Sequence, residues 1–341
     1  MTQPPHLLLT PRRARQGGAA LLMAMIIVTL VSTLAASMVY QQYRAVRVEE
    51  AERVRSQGVW MLNGLLDFGR HWLLDDARRR PDWDDLTETW AQPMPETRLS
   101  SFLAADQNNN SADQSEDDTF GSGGVTDAQG KFNLRNLVSS DADVRAKQLK
   151  VFQALCQNLG LNAGIADLIQ QRLILADSAS RAASTPALLQ QIGGASGLAA
   201  APVMPATFDD LLWLGQGLTA DLLERLRPYV TLLPDDGVAI NLNTATREVI
   251  AAAIPRMDTG TAGRLVSARQ RKPFRNLPAD VEAVVGVGYD LSLVGIKSTY
   301  YEATGRLRFG EFTIMQRHLL QRDPQAVRVL DSVRVSGVTG Q

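Results

Sequence analysis

The sequence predicts an α+β protein, and three observations carry that expectation. A long apolar stretch, Gly17 to Tyr40, opens the chain. Helical spacing of apolar residues, punctuated by glycine, fills the middle. From Gly295 onward the pattern turns to β-rich runs separated by Gly305 and Gly310. The elements between these landmarks can be justified in order.

From Gln16 through Tyr43 there is no charged side chain. A bilayer core about 30 Å thick needs about 20 such residues in a helix. The polar members are mostly Ser and Thr, whose hydroxyls a helix in lipid satisfies with its own carbonyls. Arg12, Arg13 and Arg15 precede the stretch with no acid among them, which places this end in the cytoplasm and the remainder outside. Three readings fit: a secretory signal cleaved near Ala35-Ala36-Ser37, a plain transmembrane anchor, or a leader cut after Gly18 that leaves the apolar helix in place.

The apolar helix is expected to continue through Ala45, Val48, Ala51, Val54, Leu62, Leu65 and Leu66, because no proline occurs between Ala14 and Arg80. One helix from Ala19 to about Leu74 would be on the order of 80 Å long at about 1.5 Å per residue. Gly58, Gly64 and Gly69 are places for a bend, and Trp60, Trp72, Trp83 and Trp90 are expected to pack in a core. Residues 80–125 are expected to be loop-rich, with prolines at 81, 93 and 95 and an acidic, amide-rich run at 106–118 that has almost nothing to bury. Within it Asp106, Asp113, Asp117 and Asp118 are oxygen donors of the kind calcium takes, although the spacing of a calcium hand is absent.

Asp127 to Leu137 reads as a turn and short strand. Helices are expected at Val144–Leu159 and Ala163–Leu175, an irregular Ala-, Ser- and Gly-rich stretch at Asp177–Pro205, a helix opened by Thr207 and Asp209-Asp210, and another at Thr219–Leu226. Thr246 caps a helix to Ile254, and Ala262–Gln270 and Leu277–Val284 follow. Phe132-Asn133-Leu134-x-Asn136 and Ile240-Asn241-Leu242-Asn243 look like two copies of one device, in which a side-chain amide fixes the turn from strand to helix. Asn133, Asn136, Asn241 and Asn243 are therefore structural caps and braces. The final strands read as an antiparallel sheet, with Val327–Val335 as its last member.

Composition narrows function. The chain has 341 residues with 35 basic and 36 acidic side chains, so no overall electrostatic footprint marks a nucleic-acid binder. The single Cys156 excludes an internal disulfide and is expected to be buried, and three scattered histidines give little support to metal or general-base chemistry. No serine elbow, phosphate loop or paired metal ligands appear.

The basic leader ending at Gly18, followed by an apolar helix running into a charged amphipathic one, resembles a type IV prepilin-like signal, with Ala19 as the mature N-terminus. Such proteins usually carry Glu at the fifth mature position, where this chain has Met23. The order of this signal, Lys131-Phe132-Asn133-Leu134-x-Asn136, a large helical region, Ile240-Asn241-Leu242-Asn243-Thr244-Ala245 and a final sheet resembles the type II secretion minor pseudopilin K family over nearly the whole chain. The resemblance implies a pilin-like α+β domain with an all-α domain inserted into its sheet: leader 1–18, transmembrane helix 19–43, first pilin-like part 44–136, inserted helices 137–290 and C-terminal sheet 291–341. It implies a non-catalytic subunit that caps the tip of the periplasmic pseudopilus and supports export of folded proteins. It also implies minor pseudopilins I and J and the prepilin peptidase as partners, and a single pass through the inner membrane. Met23 would mark the terminal position, because a subunit without the Glu cannot pair with a neighbour's ammonium in lipid. The family's calcium would fall near 169–200, where Asp177 is the lone acid; no cofactor is certain, and calcium remains open.

Residues 238–289 also resemble a helix-hairpin-helix module of competence-type DNA receptors. Arg269, Arg271, Lys272, Gly286 and Gly288 would then meet phosphate. The first hairpin lacks Gly-x-Gly, and a shared packing unit without nucleic acid is the preferred reading. A membrane-anchored DNA-binding or uptake protein is the alternative.

Overall fold

The computed structural model describes residues 17–98, 119–191, 193–215, 217–309 and 312–338. Two compact units divide the chain after Val59. Helix α1 (Gly17–Arg79) supplies the described part of the first unit and, from Trp60 on, enters the second.

In the first unit the helix is exposed on all sides, from Leu21 through Val48. Its hydroxyls turn inward to the backbone: Thr29 Oγ1 donates to Ile26 O at 2.9 Å and Thr33 Oγ1 to Leu30 O at 2.8 Å. Ala19–Glu49 is long and apolar enough to cross a membrane, by length and composition, and is the one such helix among the described residues.

The second unit is built on a five-stranded sheet. Strands β1 (Met94–Arg98), β2 (Thr119–Asp127), β7 (Tyr300–Phe309), β8 (Phe312–Arg322) and β9 (Val327–Val338) lie in that order, every neighbour antiparallel. Leu62, Leu66 and Leu73 of α1 pack on it with Trp90, Val125, Tyr301, Ala303, Leu307, Ile314 and Leu320. The helix approaches closely because the sheet removes side chains beneath it. A Cβ on Gly121 would lie 3.2 Å from Leu65 Cδ1, and one on Gly305 3.0 Å from Leu62 Cδ2. The helix reciprocates at Gly69, where a Cβ would lie 3.0 Å from Val125 Cγ2. Gly69 is thus a contact point, and the helix runs unbroken through it and Gly64.

Between β2 and β7 the chain leaves the sheet. Strand β3 (Phe132–Asn133) pairs in parallel with β4 (Val230–Thr231), and β5 (Ile240–Asn241) pairs in parallel with β6 (Val294–Gly295). Around these short ladders pack α2 (Ala142–Asn158), α3 (Gly164–Ala183), α4 (Pro186–Gln191), α5 (Gly194–Ala200), α6 (Ala220–Leu226), α7 (Arg247–Ala253), α8 (Thr259–Arg271) and α9 (Leu277–Val285). One apolar cluster, from Phe132 through Phe152, Ile169, Leu211, Ile250 and Leu265 to Val294, joins these elements except α4 and α5, which add no described residue to it. Cys156 lies in it, and burial pushes its thiol up to about 11.

Several expectations change. The stretch read as loop contains β1 and the glycine-rich β2. The stretch from Asp177 to Pro205 is mostly helical, because α3 continues to Ala183 and the short α4 and α5 follow. Residues Asp209–Leu214 form a 3-10 turn without a side-chain cap, and Asp210 Oδ2 reaches back to accept from the N–H groups of Ala206 and Thr207 ahead of it. Trp90 is fully buried, but Trp60 is 76% exposed and packs in no core.

Candidate functional site

The elements meet where the sheet gives way to the helical region. Asn133 ends β3, and its Oδ1 accepts from Arg135 N at 3.1 Å and from Leu233 N at 3.0 Å. Its Nδ2 donates to Asp235 O at 2.7 Å, and Asn136 Oδ1 accepts from Gly237 N at 2.9 Å. Asn241 ends β5 in the same manner, with Oδ1 accepting from Asn243 N at 2.9 Å. Asn243 then takes Phe274 in both directions, Nδ2 to O and N to Oδ1, each at 2.9 Å. Asn133 and Asn241 each close a local turn, and all four amides clamp a distant strand or loop, although the residues are only 0–2% exposed.

Asn241 is also part of a buried polar centre that sequence reasoning missed. Its Nδ2 reaches Asp127 Oδ2 at 2.9 Å, Ser298 Oγ at 2.9 Å and Asp84 O at 3.2 Å. Asp127 further accepts from Ser298 Oγ and Thr244 Oγ1, both at 2.6 Å, and from Gln129 N at 2.8 Å. Burial raises the Asp127 pKa, and the bonds from Ser298, Thr244 and Gln129 N pull it back. The carboxylate joins the end of β2, the turn after β5 and the entry to β7 at one point.

Beside it, Arg322 at the end of β8 gathers acids. Its Nη1 donates to Asp76 Oδ2 at 3.0 Å, its Nη2 to Asp84 Oδ1 and to Ser298 O, and its guanidinium lies 4.7 Å from the Tyr301 ring centroid. Glu88 lies close by, and its Oε2 accepts from Trp90 Nε1 at 2.6 Å. Burial, and then the Asp76 carboxylate, push the Glu88 pKa up to about 8.

The basic hairpin does not form a phosphate cradle. Arg269 is 7% exposed and donates Nη1 to Leu242 O, and burial lowers its pKa to about 10. Its guanidinium is spent on a backbone carbonyl and withdrawn from solvent. Gly286 spends its N–H on Glu282 O at 2.9 Å as a helix cap, with φ 87°. Gly288, at φ 99°, accepts from Arg256 Nη2 at 3.1 Å. Arg271 and Lys272 stay exposed. In the DNA-receptor alternative these five residues would meet phosphate together, but Arg269 and the Gly286 N–H are committed within the fold, which fits the preferred reading of a packing unit.

Asp177, the lone acid near the expected calcium place, pairs with Arg181 at 2.7 Å. Asp106, Asp113, Asp117 and Asp118 lie outside the described residues, as does the chain before Gly17. Gly18, Ala19 and Met23 lie in the first turns of α1, and Met23 is 63% exposed.

Two family models described as type II secretion system (T2SS), protein K, match residues 130–235 and 240–290. The type II secretion system protein K of Pectobacterium carotovorum is 26% identical, covering 93% of this chain and 96% of its own. That of Pseudomonas aeruginosa is 28% identical, over 91% of this chain and 90% of its own. The chain is thus similar to type II secretion system protein K over nearly its whole length. Its fold is also that of a chain in the crystal structure of the GspK-GspI-GspJ complex from enterotoxigenic Escherichia coli, with TM-score 0.56, 16% identity and coverage of 84% of this chain and 98% of the other. Within this family frame the first matched region holds Asn133 and Asn136 and the second holds Asn241 and Asn243. The boundary between them falls at the turn that Asn133 and Asn136 clamp through Asp235 and Gly237.

Proposed function

We propose that this protein is the minor pseudopilin K at the tip of the type II secretion pseudopilus, anchored in the inner membrane, and that it supports export of folded proteins without catalysis. The observation that carries the reading is the pairing of Asp127 with Tyr301 across β2 and β7, with the whole family-matched helical region strung between them. A pilin-like sheet interrupted in this way suits a subunit with a bulky head and no successor above it. In this reading the prepilin peptidase cuts between Gly18 and Ala19. The apolar helix 19–43 stays in the membrane with its N-terminus cytoplasmic, and the parts 44–136, 137–290 and 291–341 lie in the periplasm. Minor pseudopilins I and J are its partners, by analogy with the complex named for the structural neighbour.

Met23 in place of a carboxylate fits the terminal position. A charge there would have to be paired in lipid at a cost of several kcal/mol otherwise. Asn133, Asn136, Asn241 and Asn243 act as structural braces of the head.

The test is N-terminal sequencing of the full chain recovered from membranes with and without active peptidase. A start at Ala19 that depends on the peptidase supports the reading, and a start at Met1 or after Ala36 overturns it. Loss of the gene is expected to stop secretion with the envelope intact. Met23→Glu is expected to impair assembly, and normal secretion by that variant would remove the terminal-position argument.

A further inference from the structure

We propose that Asp76, Asp84 and Glu88 form a binding site for a hard divalent cation of the calcium class, where α1 ends against the sheet. One oxygen from each carboxylate lies within 4.8 Å of the others. Three atoms so placed lie within about 2.8 Å of a common point, close to the roughly 2.3–2.6 Å of a calcium–oxygen bond. All three donors are oxygens, which suits calcium or magnesium and disfavours softer metals.

An unmet bonding need at Glu88 points to a ligand. The residue is 2% exposed, its Oε2 is occupied by Trp90, and its Oε1 takes no hydrogen bond. A buried carboxylate oxygen left without a donor is costly. The charges are also out of balance. The three carboxylates share one directly bonded guanidinium, Arg322, which is spent on Asp76 and Asp84. Arg80 brings Nη1 to 3.7 Å from Glu88 Oε1, beyond hydrogen-bonding range, and its side chain is 48% exposed. With Glu88 ionised, as a bound cation would require, the three carboxylates exceed that bonded guanidinium by two negative charges, the charge a divalent cation carries. Asp76 and Arg80 give the cluster its opening to solvent, with the Asp76 side chain 12% exposed.

The site is separate from the acidic run at 106–118 and from Asp177 in the helical region. Its cation would tie the last turn of α1 to the Asp84–Trp90 segment and, through Arg322, to β8. Filling it does not depend on the secretion reading.

The test uses the full chain in mild detergent, stripped of metal. Terbium is titrated with excitation of tryptophan, since Trp90 donates directly to Glu88 and would sensitise a bound lanthanide. A saturable emission that calcium displaces, together with a calcium-dependent rise in Tm, is expected. Glu88→Gln keeps an acceptor for Trp90 and is expected to weaken terbium binding at least tenfold, and Asp76→Asn serves as a second variant should the first not fold. A variant with Asp113, Asp117 and Asp118 changed to Asn is expected to retain the signal. Loss of the signal in that variant, or emission unchanged in both Glu88→Gln and Asp76→Asn, overturns the assignment. So does a Glu88→Gln protein more stable than wild type when neither responds to calcium, because a proton would then occupy the place assigned to the cation.

Discussion

Replacing Asn241 by Leu should be among the most damaging single changes in the head. Asn241 is 0% exposed, and its amide has two N–H groups for three acceptors: Asp127 Oδ2 and Ser298 Oγ at 2.9 Å and Asp84 O at 3.2 Å. Its Oδ1 holds the N–H of Asn243, which starts the turn. Leucine keeps the branched outline of the amide, so no cavity forms, and its greater bulk adds some overpacking to the polar terms. It leaves the Asn243 N–H without its acceptor, about 1–3 kcal/mol, and removes one charged hydrogen bond from Asp127, about 1.5–3 kcal/mol. The expected loss is about 3–5 kcal/mol, or about 6–12 °C in Tm at this size. Thermal unfolding of the full chain in mild detergent, followed by tryptophan fluorescence, measures it. Asn136→Leu is the comparison, because Asn136 makes one good bond, to Gly237 N at 2.9 Å, and should cost about 1–2 kcal/mol. A Tm for Asn241→Leu within about 2 °C of wild type, or above that of Asn136→Leu, would refute the view that this amide organises the junction.

Other expectations can be checked in the same preparation. Gly123→Ala should destabilise by about 1–3 kcal/mol, because its Cβ would lie 2.7 Å from Thr304 O, whereas Gly64→Ala, with nothing within 4 Å, should stabilise α1 by about 0.5–1 kcal/mol. Burial holds the Cys156 thiol near a pKa of about 11, so a thiol reagent at pH 8 should label it only as fast as the fold opens, and rapid labelling of native protein would contradict its place in the core. Burial lowers the His318 pKa below 6.5, so the unfolded chain binds more protons and stability should fall as pH drops below that value; in His318→Gln this part of the slope should vanish in urea titrations between pH 5 and 7. Arg269→Met should lower Tm while Arg271→Ala leaves it unchanged, since only the first side chain is buried on a backbone carbonyl.

How much of this was legible depended on how far apart the interacting residues lie. The apolar helix and the last three strands announce themselves through local periodicity. The asparagine turns were legible as well, because their defining bonds span two residues, as from Asn133 to Arg135 and from Asn241 to Asn243. Strand β2 was hidden by Gly121, Gly123 and Gly124, which read as turn residues in isolation. Gly121 and Gly123 are needed because Leu65 of α1 lies over the first and Thr304 O of the neighbouring strand crowds the second. Helices α4 and α5 escaped because their Ala-, Gly- and Gln-rich segments carry no broad apolar stripe. The polar centre was out of reach in principle: Ser298 lies 171 residues from Asp127, and Arg322 lies 246 from Asp76. Nothing local marks such pairs, and their signal is only an acid or arginine at a strand end. The DNA-receptor likeness shows the same limit from the other side, since a run of basic residues does not reveal which of them, as with Arg269, the core will claim.

The pairing of Asp127 with Tyr301 has a consequence for how the protein can fold and vary. To the sheet, everything between those residues is a single hairpin connection, and β2 and β7 keep one continuous register from Thr119 opposite Phe309 to Asp127 opposite Tyr301. Loop-closure entropy rises only slowly with length, so lengthening or trimming the connection barely disturbs that register. A folded connection whose two ends already lie side by side removes most of the remaining penalty. The helical region therefore acts as a clasp: once Asn241 and Ser298 have met at Asp127, strands far apart in the chain are delivered to each other as neighbours.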